Sequence, residues 1–435
     1  MKLTFVGAGY VGLTAAAVFA DLGHLVWVLD VDEKKIETIK SGKEPFYEPG
    51  LGGLIKKTVK SGKLVPTSSY DEAISEAEVV FICVGTPSEE SGETDLSYVF
   101  SAAESIGKNL GDQYTVIVVK STVPPGTTER VGEIIEKLGK KKGEDFDIVD
   151  SPEFLAEGRA VKDTQSPSRI VIGADSKKPV KVLRDLFFHF KDSPILECDI
   201  KSAELIKYAS NSFLATKVSF INEIARIAEH FGAEVTKVAE GMGLDDRIGP
   251  KYLKAGLGYG GSCFPKDVAS LLFVSKHAGY DFGILQAATK VNQEQHRRFV
   301  KKISDKLGGL EGKNIAVLGL AFKPESDDMR KAVAVEIILL LLKEGAQVSV
   351  YDPEAMGNAK KEDFAKDVEF SSDVYSALEG ADCLTLVTEW EDFSNLDWEK
   401  VKNLMRGNLV ADGRNFYESK ELRDRGFEYI GMGRV

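Results

Sequence analysis

Cys263 stands in Gly258-Tyr-Gly-Gly-Ser-Cys-Phe-Pro-Lys-Asp267, with three glycines before it and Lys266 and Asp267 three and four residues after it. A thiol in such a loop can do covalent chemistry. Small neighbours leave it open to approach, and a nearby ammonium favours the thiolate, the species that attacks carbonyl carbon. The same loop can equally be read as a plain turn. What gives the thiol weight is a dinucleotide fingerprint at the start of the chain, because a thiol beside a hydride acceptor can carry an alcohol through a thiohemiacetal and a thioester to a carboxylate.

That fingerprint is Gly7-Ala-Gly-Tyr-Val-Gly12, between an apolar run at 3–6 and a helical pattern at 13–22. Gly7 allows the tight turn, Gly9 lets backbone approach a pyrophosphate, and Gly12 permits close helix–strand packing, with the helix N-terminus facing the anion. Asp30 follows at the end of the next strand. A carboxylate there accepts ribose hydroxyls and repels a 2′-phosphate, which favours NAD over NADP, with FAD as the main competitor. Lys35 either reaches the adenosine side or is a solvated helix lysine. Gly85-Thr86-Pro87 and Ser121-Thr-Val-Pro-Pro-Gly126 each end a strand, where open α/β sheets bind ligands.

Other residue pairs could serve the chemistry. Lys207 and Asn211 share a helix face, and a cation with an amide can meet a developing oxyanion; a solvated stripe is the alternative. Glu153 and Glu157 are also four apart, and one could activate water. Tyr252-Leu-Lys-Ala-Gly256 leads into the cysteine loop. Lys323 and Arg330 could hold a diphosphate despite a net charge of −12.

The elements that must position these residues follow a three-part plan. Short β-branched runs at 3–6, 25–29, 79–84, 115–120, 148–149 and 169–172 alternate with helical patterns, the rhythm of a parallel sheet. Residues 201–231 lack proline and keep helical spacing, which predicts one helix of about 45 Å. Helical patterning continues to about residue 305, and a second β/α rhythm begins after Gly312. The expected architecture is α/β, with two Rossmann-like parallel-sheet domains joined by a helical middle domain: 1–196 with the dinucleotide fingerprint, 197–304 with the cysteine loop, and 305–435. The 435 residues, 43% hydrophobic and acidic overall, argue against a nucleic-acid or anionic-membrane surface. The run at 332–342 is far short of the roughly 20 residues that cross a bilayer. Gly7, Gly9 and Gly12 break the apolar start and no export cleavage pattern follows, so a cytoplasmic protein is expected. Four scattered cysteines and five dispersed histidines suggest neither a disulfide framework nor a metal site.

Together these motifs, with Phe46-Tyr-Glu-Pro-Gly-Leu51, Ser151-Pro-Glu-Phe-Leu-Ala-Glu-Gly158 and the long-helix run 207–223, resemble the UDP-glucose branch of the nucleotide-sugar dehydrogenases. That family also includes enzymes acting on GDP-mannose and UDP-N-acetylmannosamine. The resemblance spans essentially the whole chain. It implies oxidation of UDP-glucose at C6, with two NAD and water, to UDP-glucuronate and two NADH, in a homodimer formed through the long helix. By motif, Cys263 is the nucleophile, Lys207 and Asn211 steady the oxyanion, and Asp267 with Lys207 holds or activates water. Glu157, with Thr122, is the base at thioester hydrolysis, supported by Glu153. NAD falls to the Gly7–Gly12 turn including Tyr10 and Val11, and to Asp30, Lys35, Thr86, Thr122, Glu157, Lys266 and Arg330. The UDP-sugar falls to Phe154, Leu155, Ala156, Glu157, Gly158, Lys207, Asn211, Tyr252, Leu253, Lys254, Ala255, Gly256, Gly260 and Lys323. Arg247 resembles an arginine offered to the neighbouring subunit's substrate. The same chemistry on the other two sugars, a two-electron 3-hydroxyacid-type dehydrogenase and an NAD-dependent sensor without catalysis are the competing readings.

Overall fold

A computed structural model of the chain describes residues 1–434. These form two compact units: Met1–Ser210 with Ala269–Ala278, and Asn211–Val268 with the described residues from Gly279 onward.

The first unit is built on an eight-stranded sheet: β1 (Lys2–Val6), β2 (Leu25–Leu29), β3 (Leu64–Thr67), β4 (Val79–Ile82), β5 (Thr115–Val119), β6 (Phe146–Asp150), β7 (Ile170–Ala174) and β8 (Ile195–Cys198). Their order is β3-β2-β1-β4-β5-β6-β7-β8. Alternate residues of the central strands supply two separate cores. Leu3, Phe5, Val79, Phe81, Val116 and Val118 belong to one, and Val6, Val80, Ile82, Ile117 and Val119 to the other. Both faces are therefore covered by helices, and the strands read as continuous apolar runs. Phe5 and Phe81 stack with ring centroids 4.5 Å apart in the first core.

Besides β8, which was not among the anticipated runs, two features depart from the sequence expectation. The Leu64–Thr67 strand was not anticipated, because Pro66 argues against a strand; it lies at the sheet edge, where a missing N–H costs no ladder bond. The second is β7, which runs antiparallel to β6, although β8 again runs parallel to β7.

The second unit carries a six-stranded, all-parallel sheet: β9 (Asn314–Leu318), β10 (Gln347–Tyr351), β11 (Glu369–Phe370), β12 (Cys383–Leu386), β13 (Leu409–Asp412) and β14 (Glu428–Ile430). The order β11-β10-β9-β12-β13-β14 repeats that of the first six strands of the larger sheet. The run at 332–342 forms the helix Val333–Lys343, whose Ile337, Ile338 and Leu341 are fully buried.

The expected long helix is present as Ile200–Phe231, 32 residues. Its buried face mixes apolar Ala203, Tyr208, Ala215, Ile221 and Ala225 with polar Glu204, Lys207, Asn211, Ser219 and Asn222. Buried polar side chains persist only where each has a partner, so this face points to what the helix holds.

Candidate active site

In the first unit, β1 ends in the glycine turn and the helix Tyr10–Asp21 begins at Gly9. Gly7 has φ +105°, and a Cβ there would stand 2.7 Å from the Cys83 carbonyl oxygen; a Cβ on Gly12 would strike the Gly7 carbonyl. Space in front of Gly9 is open, and as N-cap it offers the first turn no side-chain acceptor. A helix start without a side-chain cap, beside a glycine with open space at its Cβ position, fits a pyrophosphate. Asp30 accepts from the Ala8 N–H at 2.8 Å, the Asp32 N–H at 3.0 Å and the Lys35 ammonium at 3.0 Å. Burial raises its carboxyl, but these donors outweigh burial and hold it below the ordinary aspartate value. The residues thus fit a dinucleotide whose ribose meets an ionised carboxylate. Tyr10 packs on Phe46 with centroids 4.1 Å apart, and Thr86 is buried just past β4. Thr122 follows β5 beside Ser121, whose hydroxyl donates to the Val84 carbonyl at 2.7 Å and so joins the two strand-end loops.

The 151–158 segment leaves β6 and is held throughout. Glu153 receives the Lys207 ammonium at 2.8 Å on one oxygen and the Leu155 N–H at 2.7 Å on the other. Lys207 and Glu153 are both almost completely buried, so neither charge is shared with water. Ala156 donates to Asp163 at 3.1 Å, and Glu157 is buried. Phe154 lies under the Arg169 guanidinium, 3.6 Å from the ring centroid, and Arg169 also donates to Ser210 at 3.2 Å.

In the second unit Cys263 is exposed and caps the helix Phe264–His277, its carbonyl accepting the Asp267 N–H at 2.9 Å. A helix N-terminus stabilises a thiolate. Asp267 lies one turn on, fully buried, with one oxygen accepting from Asn211 at 2.6 Å and the other from Lys266 at 2.6 Å. The ammonium expected to favour the thiolate is therefore matched to a carboxylate, and the helix start is the contribution that spacing alone did not suggest. The loop before Cys263 is packed without room for side chains. A Cβ at Gly260 would strike the Lys331 carbonyl, and one at Gly261, where φ is +84°, would strike the Phe322 ring. Asn292 grips the same loop from the helix Gly283–Leu307, accepting the Tyr259 N–H at 2.8 Å and donating to the Tyr259 carbonyl at 2.9 Å. Asn222 accepts the Gly256 N–H at 2.8 Å, and Gln295 donates to the Gly256 carbonyl at 2.9 Å.

Family models match the chain along its length: the NAD binding domain of the UDP-glucose/GDP-mannose dehydrogenase family at residues 1–191, the central domain at 201–294 and the UDP binding domain at 316–419. The chain belongs to the UDP-glucose/GDP-mannose dehydrogenase family. It is an NAD-dependent oxidoreductase. It is 44% identical over 433 residues to UDP-glucose 6-dehydrogenase TuaD of Bacillus subtilis, covering 100% of this chain and 93% of that one. A UDP-glucose dehydrogenase structure from the archaeon Pyrobaculum islandicum superposes with TM-score 0.92 at 39% identity, covering 100% and 98% of the two chains. A UDP-D-ManNAc dehydrogenase from Pyrococcus horikoshii gives TM-score 0.88 at 28% identity over 100% and 99%.

Other family-motif residues of this dehydrogenase make contacts of their own. Arg330 is paired in two-pronged fashion with Asp328, its Nη2 2.6 Å from the carboxylate, and Lys323 lies 5.5 Å from the Phe322 ring centroid. Arg247, almost wholly exposed, pairs with Asp245 at 2.6 Å. In the 252–256 run, Tyr252 is held at φ +66° while Leu253 and Ala255 are buried. Motif reading included Glu48, Lys120 and Asn222 but gave them no role, and it passed over Arg169, Glu204, Asn292 and Gln295. Lys120 donates to the Ser151 carbonyl at 3.2 Å, and burial holds it below the usual lysine range. Glu204 and Asn222 had a signal, since they continue the helical spacing of Lys207 and Asn211. Of the other cysteines, burial pushes Cys83 and Cys383 up to about 12, which keeps them protonated and inert. No cluster of metal-ligating side chains and no membrane-length apolar helix occurs among the described residues.

Proposed function

We propose that the enzyme oxidises UDP-glucose at C6 to UDP-glucuronate, removing four electrons as two hydrides and taking the second carboxylate oxygen from water. The observation that carries this reading is Cys263 at a helix start, with Asp267 one turn on and bracketed by Asn211 and Lys266. NAD supplies the hydride acceptor for both removals, held by the glycine turn, Asp30, Lys35 and the loops bearing Thr86 and Thr122. In the first oxidation C6 loses a hydride and its hydroxyl loses a proton, leaving an aldehyde. Cys263 Sγ then bonds to C6 and forms a thiohemiacetal, whose oxyanion Lys207 and Asn211 stabilise. Loss of the second hydride gives the thioester. Water, deprotonated with help from Glu157 and Thr122, attacks C6, the C–S bond breaks, and the thiolate returns. Asp267 manages the proton in the early steps, and Glu153 sets Lys207.

The three-part division at residues 196 and 304 belongs to the same reading, with the last part taking the UDP end. So do a cytoplasmic setting and a homodimer through the long helix. Phe213, Phe220, Ile227 and Phe231 leave a stripe of exposed apolar side chains at spacings of seven, seven and four, suited to a second copy of the same helix. Arg247 is then offered to the partner's substrate, and analytical ultracentrifugation should find a dimer.

The deciding experiment mixes limiting UDP-glucose with excess NAD and counts NADH formed per sugar. Two per sugar, falling to none in Cys263→Ala, is the expected result; one per sugar, or undiminished product from Cys263→Ala, overturns the thioester route. The similarity to the Pyrococcus enzyme favours a second substrate reading, the same double oxidation on UDP-N-acetylmannosamine. It predicts no turnover with UDP-glucose and two NADH with the acetamido sugar.

A further inference from the structure

Two buried glutamates that carry no assigned catalytic or binding role make the same unusual contact. Glu204, on the long helix, accepts the Gly126 N–H at 2.6 Å on one oxygen and the Thr128 N–H at 2.8 Å on the other. Glu48 accepts the Gly158 N–H at 2.7 Å and the Ala160 N–H at 2.7 Å. Both side chains are almost completely buried. Each carboxylate therefore spans two N–H groups two residues apart, and each pair lies where a site loop enters a helix, Thr127–Lys137 in one case and Ala160–Gln165 in the other.

Helix starts leave N–H groups without intrahelical partners, and the ordinary remedy is a local Ser, Thr, Asp or Asn. Here Gly126 and Arg159 occupy the cap positions and supply no side-chain acceptor. The acceptors come instead from 76 to 78 residues away for Glu204 and 110 to 112 for Glu48. A local cap moves with its loop, whereas a remote carboxylate fixes the loop to another element. Glu204 sits three residues before Lys207, on the same face, and Lys207 holds Glu153. One turn of helix thus anchors the Thr122 loop through Glu204 and one end of the 151–158 loop through Lys207, while Glu48 anchors the other end.

We infer that Glu204 and Glu48 are positioning residues, Glu204 for the cofactor loop that carries Thr122 and Glu48 for the substrate loop 153–158. The division of labour rests on the function proposed above. Charge-assisted bonds to backbone N–H groups, made inside the protein, are suited to hold reacting groups to the sub-ångström tolerance that catalysis requires.

Glu204→Gln and Glu48→Gln keep the side-chain volume but turn one acceptor into a donor that faces a backbone N–H. In Glu204→Gln the NADH dissociation constant, measured by fluorescence titration, should rise about tenfold, with KM for UDP-glucose within twofold of the parent. In Glu48→Gln the NADH constant should stay within twofold while kcat/KM for UDP-glucose falls about tenfold. Glu204→Asp, which keeps the charge on a shorter arm, should recover part of the lost cofactor affinity. If both Gln variants lower Tm yet leave the NADH constant and kcat/KM within twofold, the glutamates are helix caps only and the inference fails. Equal loss of both parameters in both variants also overturns it. The NADH titration needs no sugar nucleotide, so it stands even where the parent enzyme turns out not to oxidise UDP-glucose.

Discussion

The two units hold their site residues by different chemistry. In the first, the fixing groups are charged: Glu48 and Glu204 on backbone N–H pairs, Lys207 on Glu153, and Lys35 on Asp30. In the second, the loop before Cys263 is fixed mainly by amides, Asn222, Asn292 and Gln295, and by glycines pressed against the 322–331 segment, with the Arg414 guanidinium adding a charged donor to the Gly258 carbonyl. The difference follows from what each backbone presents. A helix start offers only donors, which a carboxylate satisfies at full strength. An irregular loop offers N–H and C=O side by side, and an amide accepts from one while donating to the other without carrying charge. Asn292 does both on Tyr259 alone. The charged design is strong but intolerant of losing one partner, and the amide design is weaker but electrically neutral.

The largest effect should come from breaking a charged pair. Lys207→Met leaves the Glu153 carboxylate buried opposite an apolar chain, and removing one partner of such a pair costs about 3–5 kcal/mol. Urea denaturation should show this loss, and activity should vanish with it. Pairing Lys207→Met with Glu153→Leu should recover most of the stability and none of the activity; a loss below about 1 kcal/mol in the single variant would mean that the charged design carries little weight. A somewhat smaller effect should separate the units by pH. His296, on the helix that also bears Asn292 and Gln295, is held by burial and by the nearby Arg414 charge at about 4, below its ordinary 6.5. The unfolded chain therefore binds a proton that the folded one refuses. His296 contributes stability that is complete above pH 6.5 and lost as pH falls toward 4, about 3 kcal/mol over that window. His296→Gln should flatten this part of the stability curve, and a curve that still parallels the parent would remove His296 from the account.

The β/α rhythm was legible because strands covered on both faces become unbroken apolar runs, and the 32-residue helix because nothing within it interrupts the 3.6-residue period. Leu64–Thr67 was hidden by a proline tolerated only at an edge, and the reversal of β7 leaves no trace in the composition of its strand. At the site, Cys263, Lys207, Asn211, Glu153 and Asp267 stood out because their side chains could do chemistry. Glu48, Glu204, Asn222 and Asn292 did not, since their partners are backbone groups, which every residue possesses and no sequence marks. Half of such a contact is written in the sequence; the other half exists only once the chain has folded.

The smallest and most discriminating change is Asn292→Asp. It preserves the acceptor for the Tyr259 N–H and alters one atom group, so packing is unchanged. At pH 8 the new carboxylate loses the donor to the Tyr259 carbonyl and places negative charge against that oxygen, a cost of about 2 kcal/mol. The Cys263 loop should loosen and kcat should fall. As pH is lowered the aspartic acid regains a proton and with it a donor. The repulsion raises its pKa in the folded state, so the variant's deficit against the parent should shrink on acidification, the reverse of the His296 effect. Glutamate clamps in the first unit have no carbonyl to repel and should show no such recovery when amidated. A stability for Asn292→Asp at pH 8 equal to the parent's would mean that the amide's second bond is dispensable, and that glycine packing alone holds the loop.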